Sequence, residues 1–207
     1  MREATPPSTS PCLLLALAVL ALSPRAALAQ DLMALLEDGP VVMVQQDEEG
    51  GFDECTAIVF VEAPPAAVWE VLADLESHPE FMPKLRRAEV KERSDDRLVV
   101  ALELETPGRN TRYVMAYDLR PAAWRIDVSW VSGDLRGTFG TWRLVPSGQG
   151  TLVYYQGATR NYSRILQRLE DDQQTITIGV NVSSAIAMVR AVKERTEGLR
   201  SGDGPGD

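Results

Sequence analysis

From Leu98 to Trp130 apolar and polar residues alternate with a period of two. Leu98, Val100, Leu102 and Leu104 share one side, opposite Glu103 and Glu105. Tyr113, Met115, Tyr117 and Leu119 alternate with Arg112, Asp118 and Arg120. Trp124, Ile126, Val128 and Trp130 alternate with Arg125, Asp127 and Ser129. This pattern predicts strands with one face in water and one face covered. Clusters of Gly, Pro, Ser and Asp divide the region into strands over Leu85–Arg93, Leu98–Glu105, Thr111–Arg120, Trp124–Ser132, Thr138–Val145 and Thr151–Ala158. The short gaps between them predict an antiparallel meander.

Upstream, a one-turn helix is expected at Leu32–Leu36 and a strand at Val41–Gln46. A turn at Glu48-Glu49-Gly50-Gly51 then leads into a second strand, Glu54–Val61. Its Ala57, Val59 and Val61 share one face, and Ile58 and Phe60 the other, so both faces read as covered. Pro65 suits the first position of a helix over residues 66–75. His78-Pro79 and Met82-Pro83 bracket a shorter helical piece that carries Phe81. Near the other end, Ile178, Val182, Ala185, Val189 and Val192 mark the covered stripe of a helix over Gln173–Thr196. Asp171 or Asp172 would cap its start and Gly198 would end it. Tyr162–Leu169 reads as a separate short helix or as its first turns.

Composition narrows the function. The 207 residues are 44 % apolar and 25 % charged, ordinary for one globular domain, and the formal net charge is −9. An acidic chain lacks the basic surface that nucleic acids and anionic membranes require. Cys12–Leu22 is an apolar run too short to span a bilayer. Ala27-Leu28-Ala29 follows it with a small-x-small pattern, so residues 1–29 read as a signal peptide cleaved before Gln30. The expected organisation is a signal peptide (1–29), an extension with an extra strand (30–53), the main domain (54–198) and a disordered tail (199–207). Export with no stable membrane insertion follows. Cys55 alone remains after cleavage, so no internal disulfide forms. One Cys and one His (His78) are too few for a zinc site, and no cofactor is expected.

Strand, short helices, meander and long final helix make an α+β helix-grip layout. The segment from Val61 to Asp74, followed by Pro79-Glu80-Phe81-Met82-Pro83, resembles the opening of START-like (SRPBCC) domains, nearest the coenzyme-Q-binding START and polyketide cyclase/dehydrase group. Gly140-Thr141-Trp142-Arg143-Leu144 fits the same resemblance. It implies a curved antiparallel sheet around the long helix, with a cavity for a lipid, quinone, sterol or polyketide between them. It also implies that the short helices sit near the cavity mouth, which makes Phe81 a gating candidate.

The candidate site residues are those on the inferred inward face: Tyr113, Met115, Tyr117, Trp130, Trp142 and Tyr155. Aromatic rings with a few hydroxyl and indole groups suit an apolar pocket with polar orienting points. They equally suit a filled core. The long helix carries no charge between Gln173 and Val189, and Thr177, Asn181 and Ser184 form a polar stripe along it. Asn181 has both a donor and an acceptor for a ligand carbonyl or hydroxyl. Replacing it would then change affinity and leave folding intact. The helix is expected to emerge where charge returns, at Arg190. The inward stripes hold no Asp, Glu, His or Lys, which favours a non-catalytic carrier of a hydrophobic molecule. A cyclase or dehydratase, working through tyrosine hydroxyls, and an envelope protein-interaction module are the alternatives.

Overall fold

The computed structural model describes residues 32–160 and 174–201. A short helix, α1 (residues 32–37), precedes β1 (Val41–Gln46) and β2 (Phe52–Val61). Next come α2 (Pro65–Ala73), β3 (Leu85–Arg93), β4 (Arg97–Leu104), β5 (Thr111–Arg120), β6 (Arg125–Gly133), β7 (Phe139–Ser147) and β8 (Gly150–Ala158). The last element is the long helix α3 (Gln174–Ser201). Single 3-10 turns lie at His78–Glu80 and Pro121–Ala123. The eight strands form one sheet in the order β1-β2-β8-β7-β6-β5-β4-β3, antiparallel throughout. Pairing of β2 with β8 sets the first core strand beside the last, and α3 lies across the inner face. This is the helix-grip layout expected from the sequence.

Local chemistry explains the element boundaries. Asp47 closes the β1–β2 hairpin, its carboxylate accepting the backbone N–H groups of Glu49 (3.0 Å) and Gly51 (2.6 Å). Pro65 occupies the first turn of α2, whose Val68, Val71 and Leu72 are buried. Trp124, placed in a strand by the alternation, instead adopts a left-handed backbone (φ 49°). Its ring meets Trp69 edge-on at 5.9 Å, so packing against α2 offsets a conformation that L-residues disfavour. β7 runs through Pro146, where the sequence predicted an end. Its pairing with β6 stops at Arg143 while its pairing with β8 continues to Ser147. Pro146 therefore lies where β7 is locally an edge, and its missing N–H leaves no gap in a ladder.

Both ends of the described chain pack against β2 or its flank. β1 extends the sheet sideways, and the outer face of β2 is covered by α1. Leu36 is buried with Ile58 and Leu152, and Leu32, Met33, Val41, Phe60, Val145 and Tyr154 pack around them. Gly198 does not stop α3. The helix continues to Ser201, through residues 199–201 that the sequence assigns to the tail. Its end is tied to β2. The Glu197 carboxylate accepts the Glu62 N–H at 2.8 Å, Lys193 donates to the Phe60 carbonyl at 2.9 Å, and Arg200 donates to the Glu62 carbonyl. The signal peptide, the Asp171 and Asp172 caps and the Tyr162–Leu169 segment lie outside the described residues.

The length and composition of Thr175–Ser201 would suit a membrane span. Here Ala185, Val189, Val192 and Thr196 are buried against the domain. Burial is greatest in the charged half. Val189 and Val192 are sealed (0 % exposed), whereas Ile178, Val182, Ser184 and Met188 keep accessible surface. The helix therefore does not emerge at Arg190. Its charges occupy the outer side, and its apolar side meets β2 and α2.

His78, in the first 3-10 turn, is buried and donates from Nε2 to the Val71 carbonyl at 3.3 Å. Burial holds its pKa below the ordinary 6.5, despite the opposing effects of the Val71 and Leu72 carbonyls and Asp74. The unfolded chain then binds a proton that the folded chain refuses. Stability is expected to fall as pH drops below about 6.5, ahead of carboxylate protonation near pH 4. Urea midpoints across this range should show the loss in the wild type and a flatter profile in His78→Gln.

Candidate functional site

The inner face of the sheet divides into a sealed part and an open part. On β2, Cys55, Ala57, Val59 and Val61 point inward and are buried in the central core, beneath α3. Burial, and then the neighbouring Glu54, push the Cys55 thiol up to about 11, so it stays protonated and unreactive. The backbone of α3 approaches β2, β8 and β1 more closely than it does β4, β5 or β6. Space between the helix and β4–β6 is therefore left to side chains.

Those side chains are the predicted aromatics. Register sets Met115 opposite Trp130, Tyr117 opposite both Leu98 and Val128, and Tyr113 opposite Leu102. Met115 and Trp130 share the inner face in unbroken register with Tyr117 and Val128, and a bulge beyond them sets Tyr113 opposite Gly133. Trp142 and Tyr155 pair across β7 and β8, their rings 4.7 Å apart and tilted by 49°. Gly140 makes the pair possible, because a Cβ there would come 3.0 Å from the Tyr155 ring. The sequence flagged Gly140 only as part of a motif.

Their surroundings differ. Met115 and Trp142 are buried among apolar neighbours and act as core. Tyr113, Trp130 and Tyr155 keep accessible surface on the inner face, as do Leu119 and Val128, which the sequence reading passed over. Burial nevertheless pushes the Tyr113 hydroxyl up to about 12. Tyr113 therefore combines a desolvated hydroxyl with accessible ring surface, and we call the partly accessible stretch of inner face that it shares with Leu119, Val128, Trp130 and Tyr155 the recess. Tyr117 is 9 % exposed, and its pKa is raised by burial first and by the nearby Tyr113 and Tyr155 hydroxyls second. The Tyr117 hydroxyl has no hydrogen-bond partner among the described residues. Buried polar groups are nearly always paired, with protein, with water or with a bound molecule.

The Trp130 indole is committed, donating from Nε1 to the Asp134 carbonyl at 2.9 Å. That bond helps fix the turn after β6, where Asp134 accepts the Arg112 N–H (3.0 Å) and pairs with Arg109 (3.1 Å). Phe81 lies at the 3-10 turn, edge-on to His78 (5.3 Å) and beneath the Arg195 guanidinium (5.6 Å). Arg195 also pairs with Glu80 at 2.6 Å, which fastens the turn to α3.

On the polar stripe of α3, Asn181 has protein partners of its own. Asn181 is 4 % exposed. Its side-chain oxygen accepts the Thr159 N–H at 2.7 Å, and its amide donates to the Thr177 carbonyl (3.0 Å) and the Thr159 carbonyl (3.4 Å). The oxygen accepts one bond and both amide hydrogens are engaged, so Asn181 clips α3 to the end of β8. Thr177 and Ser184 are partly accessible. Sequence alone cannot separate a clip from a ligand contact, because the partner is the backbone of Thr159.

A family described as polyketide cyclase/dehydrase and lipid transport matches residues 61–196. The chain belongs to this family. Three solved structures in it or like it share the fold. Zhui aromatase/cyclase from Streptomyces has a TM-score of 0.62 and 24 % identity, covering 73 % of this chain and 98 % of that one. A fragment of a STAR-related lipid transfer protein from Xanthomonas axonopodis has a TM-score of 0.63 and 22 % identity, covering 77 % and 94 %. A START superfamily protein from Mycobacterium smegmatis has a TM-score of 0.53 and 18 % identity, covering 70 % and 98 %. Identities this low speak for the fold alone. No curated protein matches the chain. The family spans catalysts and carriers, so its membership leaves the role of this recess to be argued from the residues themselves.

Proposed function

We propose that the protein is exported and carries an apolar, ring-bearing molecule with at least one carbonyl or hydroxyl oxygen, such as a quinone or a polyketide-like aromatic, without transforming it. The Tyr117 hydroxyl, buried and without a hydrogen-bond partner among the described residues, carries this reading. Burial holds Tyr113 and Tyr117 neutral at physiological pH, so each offers a proton to an oxygen acceptor and neither serves as a base. A plain acyl chain would leave Tyr117 unsatisfied. The described inward side chains are apolar, hydroxyl, indole or amide, with the Cys55 thiol held protonated, and a cyclase would need a proton acceptor beside the ligand. Affinity comes from apolar burial, at about 25 cal/mol per Å² before association costs.

Native mass spectrometry of the protein from its own host, followed by organic extraction, should find a stoichiometric apolar passenger. Tyr117→Phe should weaken binding of that passenger by about tenfold, or about 1.4 kcal/mol, and leave the melting temperature unchanged or higher. An unchanged affinity removes Tyr117 from the site. An empty protein that takes up neither quinones nor aromatic polyketones sinks the carrier reading.

A further inference from the structure

The two edges of the sheet are built differently. β3, at one edge, reads LRRAEVKER, and its register with β4 shifts twice. Charges and bulges are the devices by which proteins keep an edge from pairing. β1, at the other edge, reads VVMVQQ, with no charge and no proline. One side of β1 pairs with β2, and no strand among the described residues pairs with the other. Alternate residues along that side direct N–H and C=O groups outward. Val44 lies on the inner face opposite Cys55, and Met43 on the outer face opposite Thr56. They are 42 % and 53 % exposed, and Leu35 on the adjoining α1 is 58 % exposed. An incoming strand would meet apolar side chains on both faces.

The ends of this edge are acidic. Glu37 and Asp38 precede β1, joined there by Glu62 and Glu194 against Arg190 and Lys193, and Asp47, Glu48 and Glu49 follow it, so each end keeps an acidic excess. Antiparallel pairing of two copies through β1 would bring the acidic end of each against the acidic end of the other. Charge therefore disfavours self-association and favours a segment of opposite sign.

We propose that the β1 edge is a docking site for an extended, apolar segment of another protein flanked by Lys or Arg. The segment adds a ninth strand beside β1. Backbone hydrogen bonds hold it, Met43 and Val44 contact its side chains, and the acidic ends select its charge. The site is separate from the recess and holds whether or not the recess carries a ligand.

Fluorescence anisotropy of a labelled peptide, Lys-Lys-Val-Thr-Val-Thr-Val-Lys-Lys, tests the proposal on the exported chain. Saturable binding is expected. It should weaken by about tenfold when the lysines become glutamates, and again when Met43 and Val44 are both replaced by lysine. Those positions are exposed, so the double variant should keep the wild-type melting temperature. Absence of saturation, equal binding of the two peptides, or indifference to the double substitution overturns the proposal. Sedimentation that shows a wild-type dimer dissociated by the same substitutions also overturns it, and assigns the edge to a second copy.

Discussion

Trp142→Ala is expected to lower the free energy of unfolding by about 3–5 kcal/mol. Trp142 is 6 % exposed and belongs to the central core. It lies opposite Ile126 on β6 and stacks with Tyr155 on β8. Truncation removes a large apolar surface and leaves a void that β7 cannot close, because both of its flanks are paired at this point. The denaturation midpoint should fall with an unchanged slope. A loss below about 1 kcal/mol with weaker ligand binding would instead make Trp142 part of the recess wall.

Asn181→Leu is expected to destabilise the protein by about 3 kcal/mol. Leucine fills a similar volume but cannot accept the Thr159 N–H, which is then stranded in a part-buried position. It also removes the donors that reach the Thr159 and Thr177 carbonyls. Thermal unfolding gives the measurement, and amide exchange at Thr159 should quicken locally. Intact stability with altered ligand affinity would return Asn181 to the ligand site. Asn181→Asp keeps the acceptor and should recover part of the loss.

The fold was largely legible because its strands alternate cleanly. The spans of β1, β3 and β5 coincide with the runs read from the sequence. The inward assignment of Tyr113, Met115, Tyr117, Trp130, Trp142 and Tyr155 also agrees with the face that packs on the core. Departures occur where a non-local contact decides. Trp124 leaves its strand for Trp69, and Pro146 stays in β7 because β6 has already stopped. Gly198 stays helical because the residues around it are anchored to β2.

The site was only half legible. Alternation tells which side chains point inward, but not which of them find room there. Met115 and Tyr113 sit two residues apart on one strand, yet one is sealed and the other faces a recess. That difference depends on how far α3 stands from each strand, a distance no local pattern encodes. The backbone partners of Asn181 were not legible for a related reason. A polar residue on a helix looks the same whether its partner is a ligand or a backbone twenty residues away.

The unequal seating of α3 separates two selective pressures. Substitutions along β2, α2 and the Val189–Thr196 stretch endanger folding and are purged whatever the cargo. Substitutions at Tyr113, Val128 or Trp130 alter the wall of the recess, where fewer atoms depend on them. On the carrier reading proposed above, a lineage can drift from one cargo to another by single replacements on β5 and β6 while the scaffold stays under constant constraint. Such a partition suits a family whose description joins cyclases and lipid transport. It also identifies β5 and β6 as the strands on which to build a library when a new specificity is wanted.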